Sequence, residues 1–126
     1  MKKIQIKPSD LLKNSSIKIS GSKSESNRIL ILNSIYKNIK VSNLSNSDDT
    51  ILLKSALDNL NEKIDIHHAG TAMRFLTAYI STVEGKRFIL TGSKRMKERP
   101  IGILVEALKD LGCLLYTSDA ADDGIR

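Results

Sequence analysis

The chain has 126 residues, 40% of them hydrophobic, and 20 Lys and Arg against 14 Asp and Glu give a net charge of +6. This length fits one modest domain or part of a larger one, and the apolar content supplies a core, which excludes a disordered chain. No run approaches the roughly 18 to 20 apolar residues of a membrane helix, and no secretory signal follows Met1, so we predict a cytoplasmic protein. The single cysteine, Cys113, excludes an intramolecular disulfide and is expected to be a small buried residue.

The first segments of the chain alternate polar and apolar residues. In "KKIQIKP" the apolar positions are Ile4 and Ile6, and in "SIKIS" they are Ile17 and Ile19. Such alternation predicts two short strands, each with one buried face, connected through a turn at residues 8–10. The stretch "KVSNL" predicts another strand at residues 40–44.

Two helices are predicted in the first half of the chain. From residue 24 to about residue 37, Ile29, Leu32 and Tyr36 share one face, and the neighbouring Leu30 and Ile31 widen it, which predicts a well-buried helix. In "SDDTILLKSALDNL", Ser47 is a good capping residue and the two aspartates suit a first turn. Its apolar positions follow helical spacing: Leu53, Ala56, Leu57 and Leu60.

Strands and helices continue to alternate in the second half. "EKIDIHH" predicts a strand, a helix follows Gly70, and "KRFILTG" predicts a strand over residues 86–92. We expect "SKRMKE" to form a basic loop, Pro100 to occupy the first position of a last helix, and Gly112 to end that helix. The predicted fold class is therefore α/β, with helices covering a sheet.

Three predicted strand-to-helix junctions share one chemistry. "GSKSESNR" ends at Arg28, "AGTAMR" ends at Arg74, and "TGSKRMKERP" contains Arg99; each has a glycine, a hydroxyl residue and a cation. A helix N-terminus carries unpaired N–H groups, glycine lets an anion approach the backbone, and arginine offers a fork to phosphate or carboxylate. One such junction is ordinary capping, but three predict a site for several anions.

Other kinds of site are disfavoured by the sequence. A P-loop and a G-x-G-x-x-G motif are absent, so the sequence does not favour an ATP or dinucleotide site. His67 and His68 are adjacent and have no further histidine or cysteine pair to complete a metal site, so we predict no metal. Both are expected to line a turn, with His68 close enough to Gly70 to face a ligand.

The motifs "GSKSESNR", "SDDT", "AGTAMR" and "LTGSKRMKERPIGILVEALKDLG" resemble, in this order, the N-terminal part of the 5-enolpyruvylshikimate-3-phosphate (EPSP) synthase family, the 3-phosphoshikimate 1-carboxyvinyltransferases. The resemblance runs from about residue 4 to Gly112. It implies part of an enolpyruvyl transferase fold, an inside-out α/β barrel of sheet-plus-helix repeats. On this basis residues 1–13 form a strand of another domain, residues 14–113 open one domain, and residues 114–126 form a non-native or disordered tail.

The resemblance also implies an activity. Members of the family transfer the enolpyruvyl group of phosphoenolpyruvate to the 5-hydroxyl of shikimate 3-phosphate and release phosphate, in the shikimate pathway to chorismate and aromatic amino acids. The family pattern implies that Lys23 contacts both substrates and acts in catalysis, that Ser24 and Arg28 bind shikimate 3-phosphate, and that Gly70 and Arg99 bind phosphoenolpyruvate. It implies no cofactor, no nucleic acid or membrane partner, and a monomeric full-length enzyme.

Three further residues are expected in supporting roles: His68, Thr71 and Arg74. His68 stands where the family motif usually has Asn, and Arg74 is as well suited to bracing the loop as to touching substrate. Phe75 departs from a usual Pro. The acidic residues of the family that transfer protons lie beyond this chain, so the chain alone is expected to be inactive.

Other interpretations are kept open at this point. One is a relative of the transferase that acts on UDP-N-acetylglucosamine, although its reactive cysteine loop is not found. Another is a small basic nucleic-acid-binding module, against which the chain has no Trp and its aromatic residues are expected on buried faces: Tyr36, Phe75, Tyr79 and Phe88. A third is a truncated or chimeric reading frame without a function of its own.

Overall fold

The structure is a computed structural model, and it describes residues 3–8, 10 and 13–116. Within these residues it contains five helices and one two-stranded parallel sheet, a mixed α/β arrangement. None of these helices combines the length and the apolar character needed to cross a bilayer. The elements in chain order are α1 (Lys23–Ile35), α2 (Asp48–Asp58), β1 (Lys63–Asp65), α3 (Gly70–Ile80), β2 (Ile89–Thr91), α4 (Lys94–Lys97) and α5 (Gly102–Asp110).

Helix α1 confirms the first predicted helix but buries only part of the expected apolar face. Ser22 caps it, its hydroxyl accepting the N–H of Glu25 at 3.4 Å. Two residues of the expected face are exposed, Leu32 by 43% and Tyr36 by 58%, so that part of the prediction is wrong. The buried apolar residue is Leu30, which belongs to the same core cluster as residues of α2 and α3. The run of consecutive aliphatic residues made the buried face of this helix ambiguous in the sequence.

Helix α2 begins as predicted, with Ser47 as its cap. A polar seam joins α1 and α2 behind this cap. The Thr50 hydroxyl donates to Asn27 Oδ1 at 2.8 Å and lies 3.0 Å from the Ser47 hydroxyl oxygen. The Ser26 hydroxyl accepts the Ser45 N–H at 2.8 Å. Because Asn27 and Thr50 are almost fully buried, these bonds fix the first turns of the two helices against each other.

The sheet and α3 form a β-α-β unit. Strands β1 and β2 are parallel, with Ile64 opposite Leu90, and both are shorter than the predicted strands. After β1 the chain turns at His67, where φ is +48° and the N–H donates to Asp65 Oδ1 at 2.8 Å. The core fills the space between helices and sheet with side chains that are almost wholly buried: Leu53, Ile66, Ala69, Ala72 and Leu76.

The two loops that follow the parallel strands are joined to each other. The Ser93 N–H donates to the His67 carbonyl oxygen at 2.8 Å. A Cβ on Gly92 would lie 2.6 Å from that oxygen and 2.9 Å from the Cγ of Met96, so the close approach requires glycine. The chain entering α3 and the chain entering α4 therefore pack as one unit at the carboxyl ends of the strands.

The end of the chain differs from the prediction in two details. Residues 94–97 of the expected basic loop form the short helix α4, capped by the Ser93 hydroxyl. Pro100 does not begin α5, because Ile101 is its cap and Gly102 its first residue. Gly112 does end α5, as predicted: its φ is +90°, its N–H donates to the Lys109 carbonyl, and the next N–H donates to Leu108.

Three predicted strands are wrong. No strand occurs at residues 4–6, 17–19 or 40–44 of the described chain, and the first two segments leave their isoleucines exposed, Ile4 by 87% and Ile17 by 82%. The alternation of polar and apolar residues is typical of an amphipathic segment, but a strand also needs a neighbouring strand with which to form hydrogen bonds. The small sheet pairs β1 with β2 and does not include these segments. The predicted turn at residues 8–10 includes Ser9, which lies outside the described residues.

Two predictions concern the end of the chain: Cys113 was expected to be buried, and the tail after it was expected not to pack. Cys113 is half-buried, and its thiol lies 3.8 Å from the Ser81 carbonyl oxygen. The prediction that residues 114–126 do not pack falls mostly on residues 117–126, outside the described part of the chain. At the described positions, Leu114 and Tyr116 are 88% and 90% exposed.

Candidate functional site

Asp49 connects the first turns of three helices. It lies in the first turn of α2, where its Oδ2 is 3.9 Å from the Lys23 ammonium of α1. Its Oδ1 accepts the N–H of Thr71, the second residue of α3, at 3.2 Å. The first and second predicted junctions therefore meet through a carboxylate that the sequence analysis had treated only as a first-turn residue.

Gly70 and Arg99 bring the second and third junctions together. The Arg99 guanidinium lies against the Cα of Gly70, in the space that a side chain at position 70 would occupy. Arg99 is placed there because α4 follows β2 directly and the chain turns back after it, with the Arg99 N–H donating to the Met96 carbonyl at 3.1 Å. A cation thus lies beside the first residue of α3.

Arg74 connects α3 to the loop before α5. Its Nη1 donates to the Gly70 carbonyl at 3.3 Å, and its Nη2 donates to the Pro100 carbonyl at 3.0 Å. Both guanidinium arms thus bind backbone oxygens of the protein. This arrangement braces the segment that carries Arg99, and it favours the structural one of the two roles expected for Arg74.

Ser24 and Arg28 lie on another side of α1 from Lys23. Arg28 donates to the Ser24 carbonyl at 3.2 Å, one turn away. With about 100° between successive residues of a helix, Arg28 lies about 140° around the axis from Lys23. Arg28 lines a groove of about 590 Å³ between α1 and residues 40–44, to which Lys40 also contributes. The residues of the first junction that are expected to bind substrate, Lys23, Ser24 and Arg28, therefore do not share one side of α1.

His68 contacts the first turn of α2. Its Nε2 lies 3.3 Å from Asp48 Oδ2, and both side chains are largely exposed. The histidine precedes Ala69 and Gly70 and so stands next to the start of α3, as expected. In the described residues, no three His, Cys, Asp or Glu side chains are grouped to hold a metal ion.

The arrangement is suited to holding an anion near the first turn of α3. The first N–H groups of a helix carry partial positive charge, Arg99 lies beside Gly70, and Lys23 is held nearby by Asp49, whose carboxylate offsets one of the two positive charges. Lys23 is 47% exposed on its side chain, whereas Asp49 is 16% exposed. The lysine therefore remains accessible to a ligand while its acidic partner is held inside.

Comparison with known proteins identifies the family. The EPSP synthase family model, described as 3-phosphoshikimate 1-carboxyvinyltransferase, matches residues 61–120. A 3-phosphoshikimate 1-carboxyvinyltransferase of Bacteroides fragilis is 55% identical over 97 residues, which cover 76% of this chain and 23% of that protein. The chain belongs to the EPSP synthase family. The resemblance seen in the sequence motifs is thereby confirmed.

Other relatives extend the EPSP synthase match to eukaryotes. The pentafunctional AROM polypeptide of Pneumocystis carinii is 37% identical over 134 residues, covering 82% of this chain and 8% of that protein. The chloroplastic 3-phosphoshikimate 1-carboxyvinyltransferase 1 of Nicotiana tabacum is 38% identical over 138 residues, covering 81% of this chain and 27% of the relative. The chain thus spans about a quarter or less of the length of these relatives. No solved structure gives a significant match.

Within the EPSP synthase family motifs, the structure joins Lys23, Gly70, Thr71 and Arg99 through the contacts of Asp49 and the α3 N-terminus. Sequence reasoning missed the part played by Asp49. One signal could have found it: Ala69, the residue before α3, has no side chain able to cap the helix, so an acceptor had to come from elsewhere.

Proposed function

We propose that the protein represented by this chain transfers the enolpyruvyl group of phosphoenolpyruvate to the 5-hydroxyl of shikimate 3-phosphate. In the addition step, the 5-hydroxyl gives its proton to a base as its oxygen bonds to C2 of phosphoenolpyruvate, and the electrons of the C2–C3 double bond take up a proton at C3. In the elimination step, a proton leaves C3 and the C2–O bond to phosphate breaks. The products are 5-enolpyruvylshikimate 3-phosphate and inorganic phosphate, on the route to chorismate and the aromatic amino acids.

One observation carries this proposal: Arg99 lies beside Gly70 at the start of α3, and Lys23 is linked to the same turn through Asp49, which also accepts the Thr71 N–H. Two substrates that each bear a phosphate and a carboxylate repel each other, and cations fixed in a cleft bring them together. The same cations stabilise charge that develops in the transition state. The family membership supplies the reaction class that this collection of cations serves.

Within this proposal the residues have distinct roles. Lys23 contacts both substrates, Gly70 and Arg99 hold phosphoenolpyruvate, and Ser24 and Arg28 hold shikimate 3-phosphate. Because Arg28 lies on another side of α1 from Lys23, this division requires shikimate 3-phosphate to extend from Arg28 around the first turn of α1 to Lys23, where the two substrates meet. The supporting residues are His68, Thr71 and Arg74.

The remaining parts of the proposal concern the whole protein. It is a cytoplasmic monomer of two domains, each an inside-out α/β barrel of sheet-plus-helix repeats. Residues 1–13 belong to one domain, residues 14–113 open the other, and the groups that transfer protons lie outside this chain. A protein limited to these 126 residues is accordingly inactive.

The test is phosphate release by the full-length protein with phosphoenolpyruvate and shikimate 3-phosphate. We expect turnover that requires both substrates, and little turnover when shikimate replaces shikimate 3-phosphate, because the 3-phosphate then no longer contributes binding energy. Mass spectrometry of the product checks that the enolpyruvyl group is attached to the 5-oxygen. Absence of turnover from a folded full-length protein would overturn the proposal.

A further inference from the structure

Helix α3 lacks a cap of its own and takes one from α2. Its cap position is Ala69, which offers no side-chain acceptor, and no side-chain hydrogen bond is made there. The Asp49 carboxylate, 22 residues earlier in the chain, accepts the Thr71 N–H instead. This places a negative charge at the positive end of α3, next to Gly70.

The same carboxylate faces Lys23. Its other oxygen lies 3.9 Å from the ammonium, close enough for an ion pair but longer than a direct hydrogen bond of about 2.7 to 2.9 Å between charged groups. A lysine ammonium has three donors on a flexible stem. At this distance Lys23 is drawn toward the start of α3 while its donors stay available to a bound anion.

Asp49 itself is held firmly. Its neighbour Thr50 is 2% exposed and donates its hydroxyl to Asn27 on α1, and the Ser47 hydroxyl caps the same turn. The turn that carries the carboxylate is therefore held by a buried polar seam, and the carboxylate itself is held by the Thr71 N–H, whereas the lysine side chain that it faces is 47% exposed. A carboxylate carried on a firmly held turn attracts the exposed ammonium of Lys23 to one position.

We propose that Asp49 is a positioning residue for Lys23. Its carboxylate orients the lysine ammonium toward the first turn of α3, where the anionic substrates meet, and at the same time caps that helix. This inference rests on the proposed function for its effect on turnover. The juxtaposition of Lys23, Asp49 and Thr71 does not depend on it.

The substitution Asp49→Asn separates the two roles of the side chain. The amide oxygen of asparagine can still accept the Thr71 N–H, but the amide has no charge with which to attract Lys23. Asp48→Asn is the matched control. It also removes a carboxylate from the first turn of α2, but the Asp48 carboxylate contacts His68 instead of Lys23. Both changes remove one charge from the first turn of α2, but only Asp49→Asn also removes a charge from the start of α3 and from beside Lys23. The comparison with a Lys23→Ala background separates these two effects.

The experiment is a double-mutant cycle on the full-length enzyme with Asp49→Asn, Lys23→Ala and the pair. We expect Asp49→Asn to lower kcat/KM for phosphoenolpyruvate by about tenfold, the size of a typical coupling between contacting residues. In the Lys23→Ala background the same change should alter kcat/KM by less than about twofold. A purely structural role predicts the same loss in both backgrounds, and that result would overturn the inference.

A crystal structure of the full-length Asp49→Asn variant gives a readout that does not need turnover. We expect the Lys23 ammonium to leave its position beside residue 49 while α3 keeps its first turn through the asparagine oxygen. An unmoved lysine would contradict the inference even if the enzyme is active. Conversely, a parent enzyme without turnover contradicts the proposed function, while a displaced Lys23 in the variant still supports the positioning role.

Discussion

The Arg99 guanidinium lies in the space that a Cβ on Gly70 would enter. Glycine at this position therefore leaves room for the side chain of an arginine that is 29 residues away in sequence. Since the displaced group is the end of a flexible side chain, a larger residue at position 70 would move Arg99 and leave the backbone in place. Gly70 and Arg99 form one packing unit, and we expect them to respond to substitution together.

Gly70→Ala should raise the KM for phosphoenolpyruvate by about tenfold or more in the full-length enzyme, because the methyl group displaces the arginine that we assign to this substrate. Thermal unfolding should change little, since alanine is a good helix residue. Steady-state kinetics with each substrate varied in turn makes the measurement. Repeating the change in an Arg99→Ala background provides the control: an undiminished effect on KM there would show that Gly70 acts independently of Arg99.

Lys23→Ala should lower kcat of the full-length enzyme by about 100- to 1000-fold, the usual loss when a donor that stabilises transition-state charge is removed. The fold should survive, because the lysine side chain is 47% exposed. Lys54→Ala is the matched control: Lys54 is similarly exposed on α2 and pairs with Asp58 within the same helix. The control should retain full activity; comparable losses in both variants would contradict the assignment of Lys23.

Arg74→Ala should destabilise the full-length protein by about 1 to 2 kcal/mol, because two backbone carbonyls lose their donors. Chemical denaturation measures this loss. Arg74→Lys keeps the charge but cannot span both carbonyls, so it should recover only part of the stability. If Arg74→Lys instead restores full stability while KM for either substrate stays high, the residue binds substrate rather than bracing the loop.

Asn27→Ala should destabilise the protein by about 1 to 3 kcal/mol, because a fully buried hydrogen bond between α1 and α2 is lost. Asn33→Ala, at a half-buried position on the same helix, is the control and should change stability by less than about 0.5 kcal/mol. Denaturation of both variants in parallel gives the difference. Equal effects would mean that the seam between the helices contributes little.

The helices were predictable because their signals are local. Ser47 before an apolar period, and Gly112 after one, mark helix ends through hydrogen bonds made within a few residues. The strands at Ile4 and Ile17 were predicted wrongly because alternation does not reveal whether a pairing partner exists. Strand formation depends on contacts that are distant in sequence, and a single sequence carries little information about them.

The candidate site was predictable in its chemistry and only partly in its geometry. Three junctions with glycine, a hydroxyl and a cation indicated an anion site, and two of them meet at Gly70 and Arg99. The expected grouping of Arg28 with Lys23 ignored the angle between them around α1. Tyr36 was expected on a buried face and is exposed, which removes it from the argument against nucleic-acid binding but leaves Phe75, Tyr79 and Phe88 packed on the core.

The contact between Gly92 and the His67 carbonyl has a consequence for protein engineering. Because a Cβ at position 92 would collide with that oxygen and with Met96, the segment entering α3 and the segment entering α4 constrain each other's sequence. A chimera that takes only one of these two segments from a relative would combine loops whose contacting residues do not match. Grafts between members of the family should exchange residues 65–99 as one block, with both loops from the same parent.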